Sequence, residues 1–160
     1  MQYIYKMKSE EHFIDFENSI GPWLGKTVKL LDFFAQESFN EANLDLTKEQ
    51  MIVLKKLSFK DGLNQNELAF LTLRNKSSLT RLLSKMEAKK YIVREQDVLD
   101  KRIKRVYITK TGTAIFLKTR PVIKQLINRI EQNISATEKQ EMIKTLQKIQ
   151  SNFGSEIEHI

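Results

Sequence analysis

The stretch VLDKRIKRVYIT, Val98–Thr109, sets Lys101, Arg102, Lys104 and Arg105 within five positions and then turns apolar on alternate residues. Period-two alternation puts Val106 and Ile108 on one face of a strand, with Arg105 and Tyr107 on the other. Upstream, YIVRE (Tyr91–Glu95) has the same β-branched and aromatic character. Nine residues separate it from RVYIT (Arg105–Thr109), a spacing that predicts a β-hairpin whose tip, Gln96–Lys104, carries the positive charge.

Immediately before this hairpin, RNKSSLTRLLSKMEAKKY (Arg74–Tyr91) places Leu79, Leu82, Leu83 and Met86 at i, i+3, i+4 and i+7, the stripe of a half-buried helix capped by Asn75. Its other face presents Lys76, Ser77, Ser78, Thr80, Arg81, Ser84 and Lys85, with no acid before Glu87. A solvent-exposed face ordinarily mixes both signs to gain i,i+4 pairs, so a basic and hydroxylic one predicts an anionic cover. Two more helix starts precede it. In LDLTKEQM, Thr47 and Gln50 form a capping box and Leu46 with Met51 a hydrophobic staple. In LNQNEL, Asn64 and Glu67 repeat the box and Leu63 with Leu68 the staple, while Gly62 suits the left-handed residue that ends the preceding helix.

The flanks are apolar at helical spacing. Trp23, Leu24, Val28, Leu31 and Phe34 mark a helix from about Pro22 to Glu41. Ile115, Leu117, Val122, Ile123, Leu126, Ile127 and Ile130 mark a long one after Thr109, with a bend expected at Pro121. SATE (Ser135–Glu138) opens a last helix carrying Met142, Ile143, Leu146, Ile149 and Phe153. These terminal helices are too apolar to stand alone, and pairing with a second copy is favoured over packing back on the centre.

With 160 residues and 41% hydrophobic content, the chain has enough apolar material for a folded core. It has no cysteine, which excludes disulfides, thiolate metal sites and thiol-based peroxide sensing. No apolar run approaches the roughly 20 residues that span a bilayer, so a cytoplasmic protein without membrane contact is expected. The net charge of +7 is unevenly held. Between Arg74 and Lys110 twelve Lys and Arg face four acids (Glu87, Glu95, Asp97, Asp100), whereas the rest of the chain carries fifteen basic and sixteen acidic residues. Such segregation is the footprint of a polyanion-binding face. Catalysis is disfavoured: His12 and His159 are the only histidines and lie at opposite ends, without metal-ligand spacing, and no glycine-rich phosphate loop is present. No cofactor and no metal are expected.

Three closely spaced helices, the last basic on one face, followed by a charged hairpin, make a mainly α winged helix-turn-helix with a two-stranded β wing. In that geometry the basic helix enters the major groove of double-stranded DNA, and the wing reaches phosphate or the adjacent minor groove.

These residues resemble the MarR (multiple antibiotic resistance regulator) family. The wing pattern is carried by Asp100, Arg102, Val106, Ile108, Thr109 and Gly112, and the recognition helix by Ser77–Glu95, where Lys90 replaces the small loop glycine often found there. The resemblance runs from about Ile20 to Phe153. It implies one chain, 1–160, with a winged DNA-binding region at 46–110 and dimerisation helices at 12–45 and 111–155, reading a palindrome as a homodimeric regulator, a repressor above all. Carried over by position, Lys76, Ser77, Ser78, Thr80 and Arg81, with Asn75 at the helix start, meet base edges and phosphates. Lys85, Lys101, Lys104 and the Asn64, Gln65, Asn66 helix start contact phosphate. Arg102 inserts at the wing tip, with Asp100 orienting its guanidinium, while Arg105 and Lys110 are solvated or packed. The resemblance also implies a small aromatic or phenolic effector between the dimerisation helices and the winged region. Phe13, Phe16, Trp23, Phe33, Phe34 and Phe39 are candidate lining residues there, although core packing explains each equally well. The alternative within the same fold is a nucleoid-type architectural or partner-binding protein without ligand control.

Overall fold

The computed structural model describes residues 15–153; His12, Phe13 and His159 lie outside them. The elements are α1 (Ile20–Glu41), α2 (Lys48–Phe59), β1 (Leu63–Asn64), α3 (Gln65–Leu71), α4 (Lys76–Ala88), β2 (Ile92–Gln96), β3 (Lys104–Ile108), α5 (Lys110–Ile130) and α6 (Ala136–Ser151). The chain divides into two compact units, Met1–Phe34 and Ala35–Ile160.

In the first unit Asn18 N donates to Asp15 Oδ1 at 3.0 Å, and Trp23 Nε1 donates to Glu17 O at 2.8 Å. Phe33 and Phe34 meet edge to face, their centroids 5.3 Å apart. Phe16, Ile20, Trp23, Val28, Leu30, Phe33 and Phe34 are exposed.

The second unit holds the core. Phe39, Val53, Leu54, Leu57, Leu68, Leu79, Leu83, Met86, Ile92 and Val106 are buried in one cluster that draws on every element from the end of α1 to β3. The stripe expected on α4 is therefore the packed one, with Leu82 at its margin. Each legible cap forms. Thr47, Asn64 and Ser135 make reciprocal boxes with Gln50, Glu67 and Glu138, and the Asn75 side chain accepts from Ser78 N. α5 runs as one helix with Pro121 inside it. None of the residues of α6 is buried.

The sheet departs from the expected two-stranded wing by one member. β2 and β3 pair antiparallel from Ile92↔Ile108 to Gln96↔Lys104, one residue closer to the tip than the sequence pattern places them. The two-residue β1 then adds to the other edge of β3, with Leu63↔Val106 and Asn64↔Arg105, in the order β1-β3-β2. The turn before it suits this pairing: Gly62 has φ 72°, and a Cβ there would lie 2.8 Å from Tyr107 Cε1, so any other residue would displace the Tyr107 ring.

The helix ends follow a rule the sequence hides. α1, α3 and α4 each close with a left-handed residue, Asn43 (φ 53°), Leu73 (φ 50°) and Lys90 (φ 59°). In each, the following N–H reaches back to the helix carbonyl five residues upstream: Leu44 N to Phe39 O, Arg74 N to Ala69 O and Tyr91 N to Met86 O, all at 2.9 Å. This is the Schellman arrangement, in which glycine is the usual left-handed residue. Lys90 therefore occupies the glycine position in glycine's conformation, at the energetic cost a Cβ brings there. Replacing it should relieve that cost while losing some unfolded-state advantage. We expect Lys90→Gly to stabilise the protein by about 0.5–1 kcal/mol in urea unfolding; destabilisation would show that the lysine side chain contributes more than the strain.

Candidate nucleic-acid interface

Three of the four acids of the basic window, Glu87, Asp97 and Asp100, form ion pairs within it. Arg94 on β2 donates from Nη2 and Nε to Glu87 Oε2 on α4 (2.6 and 3.1 Å), its backbone N donates to Glu87 Oε1 (3.2 Å), and Nη2 also reaches Ser84 Oγ (3.2 Å). The guanidinium beside it holds the Glu87 carboxyl below its ordinary range. This clamp fixes the hairpin's angle to α4. At the far end of the hairpin, Arg105 Nε binds Asp97 Oδ2, and Arg105 Nη1 donates to Gly62 O at 3.0 Å, tying the wing loop to the turn before β1. Asp97 Oδ1 accepts from Leu99 N and Asp100 N (2.9 and 3.1 Å), bracing the loop from inside. Arg105 is thus packed, one of the two alternatives expected for it.

The Arg105 guanidinium and these two amides pull the Asp97 carboxyl from 3.8 down to about 2. A folded-state value below the unfolded one means that this brace is fully present above about pH 4 and is lost as acid takes the pH down through about 2. Arg105→Ala should let the Asp97 titration rise part of the way back toward 3.8, read from its carboxyl carbon shift by NMR. An unmoved midpoint would mean that the amides alone set it.

Arg102 and Asp100 form the pair that the family resemblance implied. Arg102 Nε donates to Asp100 Oδ1 (3.1 Å), Nη2 to Oδ2 (3.0 Å) and the Arg102 backbone N to Oδ1 (3.0 Å). The arginine side chain nevertheless remains 91% exposed, so it is oriented and still presented.

Eight of the remaining candidates line one of two concavities beside α4. Asn64, Gln65, Asn66, Thr80, Arg94, Arg102, Ile103 and Lys104 line the first, of about 350 Å³, so the start of α3, the middle of α4 and the wing converge. Gln65 Nε2 reaches Thr80 Oγ1 at 3.4 Å across it. Ser78, Arg81 and Lys85 line the second, a polar recess, with Thr47, Glu49, Gln50, Arg74 and Leu82. Arg74 Nη1 donates to Ser78 Oγ at 3.1 Å there. Asn75 and Ser77 are partly committed to the helix start, since Ser77 Oγ donates to Asn75 Oδ1 at 3.0 Å. Lys76 and Lys101 are exposed and line neither concavity. The positioning residues Glu87, Arg94, Asp97 and Arg105 escaped the sequence reading. Only Asp97 left a trace, as an aspartate two residues before an exposed turn.

The expected aromatic lining is redistributed. Phe39 belongs to the core, while Phe16, Trp23, Phe33 and Phe34 are exposed. A cleft of about 640 Å³ does lie between α2 and α5, but its aromatics are Phe59 and Phe116, with Met51, Leu117, Ile123 and Ile127 and the cations Lys55, Arg120 and Lys124. Among the described residues no helix is long and apolar enough to cross a membrane, and no group of three His, Cys, Asp or Glu could hold a metal ion.

The MarR family profile matches residues 44–103, which span this surface from the loop before α2 to the wing. The HTH-type transcriptional regulator SarZ of Staphylococcus aureus is 32% identical over 110 residues, 68% of this chain and 73% of SarZ. Among solved structures, the S. aureus MepR–DNA complex is similar with TM-score 0.75 and 23% identity, covering 87% of this chain and 99% of MepR. The Bordetella bronchiseptica BpsR structure, which concerns regulation of DNA binding by 6-hydroxynicotinic acid, has TM-score 0.79 and 18% identity, covering 88% and 99%. Family profile, SarZ and the winged-helix architecture agree: this chain belongs to the MarR family of DNA-binding transcriptional regulators.

Proposed function

We infer that the chain acts as a homodimer that binds a palindromic operator in double-stranded DNA, represses from it, and is released by a small aromatic or phenolic anion; its work is binding rather than catalysis. The convergence of Asn64–Asn66, Thr80, Arg102 and Lys104 around one concavity carries this reading. There α4 supplies a groove-reading side chain, Thr80, while the start of α3 and the wing supply phosphate contacts around it.

Dimerisation is supported by surface that a single copy leaves uncovered: α6 buries no residue, and Leu117, Ile127 and Ile130 of α5 with Met142 and Ile143 of α6 are exposed. Two copies related by a two-fold axis present two recognition helices, which is why the operator is palindromic. Effector release is supported by the α2–α5 cleft, whose apolar walls suit an aromatic ring and whose Lys55, Arg120 and Lys124 suit its negative group. A ligand wedged there biases α2, which packs against the α4 core.

Selection of bound duplexes from random DNA by the full-length protein tests the reading. One palindromic sequence is expected, with half-sites about one helical turn apart and affinity falling steeply between about 50 and 200 mM salt. Footprints that coat DNA without preference would instead favour the architectural alternative, and a flat salt dependence would remove the basic window from the interface. Hydroxybenzoate or 6-hydroxynicotinate at millimolar concentration should weaken the selected complex, an effect abolished in Arg120→Ala if the cleft is the site.

A further inference from the structure

The wing ends in two adjacent aliphatic side chains that no part of the described chain covers: Val98 is 93% and Leu99 97% exposed. They are not at the tip of a slack loop. Asp97 Oδ1 holds Leu99 N and Asp100 N, Asp97 N donates to Ile103 O and Ile103 N to Asp100 O, both at 2.9 Å. The loop is closed and braced, and it pushes the aliphatic pair outward. Polar side chains would serve such a tip equally well in water, so the apolar pair gains nothing until it is buried against something.

What surrounds the pair indicates what buries it. Lys101, Arg102 and Lys104 are exposed on the same loop and its base, so the partner offers negative charge at its edges and apolar surface within. Arg102 and Lys104 also line the concavity shared with α4, which makes the tip continuous with the DNA-facing side. The minor groove has this composition: phosphates along both rims, and walls of deoxyribose carbon and hydrogen. Resting on the DNA reading above, we propose that Val98 and Leu99 pack against the sugar walls of the minor groove beside Arg102, adding affinity that does not depend on salt and a preference for narrow, A·T-rich flanking steps.

The test uses full-length protein and the duplex it enriches from random sequence. Val98→Ser/Leu99→Ser should bind that duplex about tenfold more weakly, with unchanged thermal midpoint and unchanged log–log salt slope, because no phosphate contact is lost. Reselection with the double variant should lose the A·T preference at the flanks and keep the inner positions. Leu99→Met should retain wild-type binding, and Lys101→Ala should lower the salt slope by about 1. A double variant with wild-type affinity and wild-type flanks overturns the proposal. So does one whose salt slope falls with its affinity, or one that binds DNA normally but loses self-association. If the wild-type protein enriches no duplex, the DNA reading itself falls, a result distinct from a wild type that enriches one and a variant that matches it.

Discussion

Gly112→Ala will destabilise the protein by about 3–5 kcal/mol, although alanine is the better helix former by about 1 kcal/mol. Gly112 sits in the first turn of α5, where Thr109 caps the helix by accepting from Gly112 N at 3.0 Å. Thr109 N in turn donates to Tyr91 O at 3.1 Å, and its hydroxyl donates to Lys90 O at 2.6 Å. These bonds press the start of α5 onto the segment joining α4 to β2. A Cβ on residue 112 would stand 2.0 Å from Tyr91 O and 2.9 Å from Tyr91 C, both backbone atoms that no rotamer change can move. Tyr91 is itself held from a third side, its hydroxyl donating to Asp45 O at 2.8 Å beside the Lys89–Asp45 ion pair. The start of α5 must therefore lift away, breaking the Thr109 bonds. Urea unfolding reads the loss directly, and a thermal midpoint lowered by roughly 10 °C is its counterpart at this chain length. Propensity and tertiary approach predict opposite signs here, so a stabilised variant would mean that the start of α5 and Tyr91 do not meet this closely.

The second large effect is on DNA. Arg102→Ala should weaken binding to the selected operator by about 10- to 100-fold, the 1–3 kcal/mol of a well-placed arginine. The protein should stay folded, because a side chain 91% exposed contributes nothing to the core. If Asp100 serves to orient Arg102, it does so by holding both guanidinium edges and the Arg102 backbone N near 3 Å. Asp100→Ala should therefore cost less, and the double variant no more than Arg102→Ala alone. Additive losses would give Asp100 a contact of its own, and unchanged affinity in Arg102→Ala would remove the arginine from the interface.

Much of the fold was legible because its signals are local. Thr47, Asn64, Asn75 and Ser135 each cap a helix through bonds to residues two or three positions on, whereas the Asp100–Arg102 pair was expected from the family resemblance. The buried stripe of α4 follows from periodicity, and the β2–β3 hairpin follows from composition and spacing to within one residue. Helix ends were less legible. The chain has only five glycines, and the left-handed closures fall on Asn43, a residue type that tolerates them, and on Leu73 and Lys90, where the surrounding packing rather than the residue type selects the conformation. The site shows the same division. That Lys76, Arg81, Lys101, Arg102 and Lys104 are concentrated in one basic segment is written in the sequence. That Arg94 would be spent on Glu87, and Arg105 on Asp97 and Gly62, is not, since those partners lie 7, 8 and 43 residues away. Nor did any pattern bring Phe59 and Phe116 to one cleft, because they belong to helices that meet only when the chain closes.

Composition, periodicity and capping chemistry determined by themselves which segments are helices, which are strands and where the excess positive charge resides, since each depends on neighbours a few residues apart. Only the tertiary structure decided that Leu63–Asn64 would become a third strand, that Gly112 had to be glycine and which arginines stay available. Those outcomes turn on atoms far apart in sequence competing for the same space or the same partner.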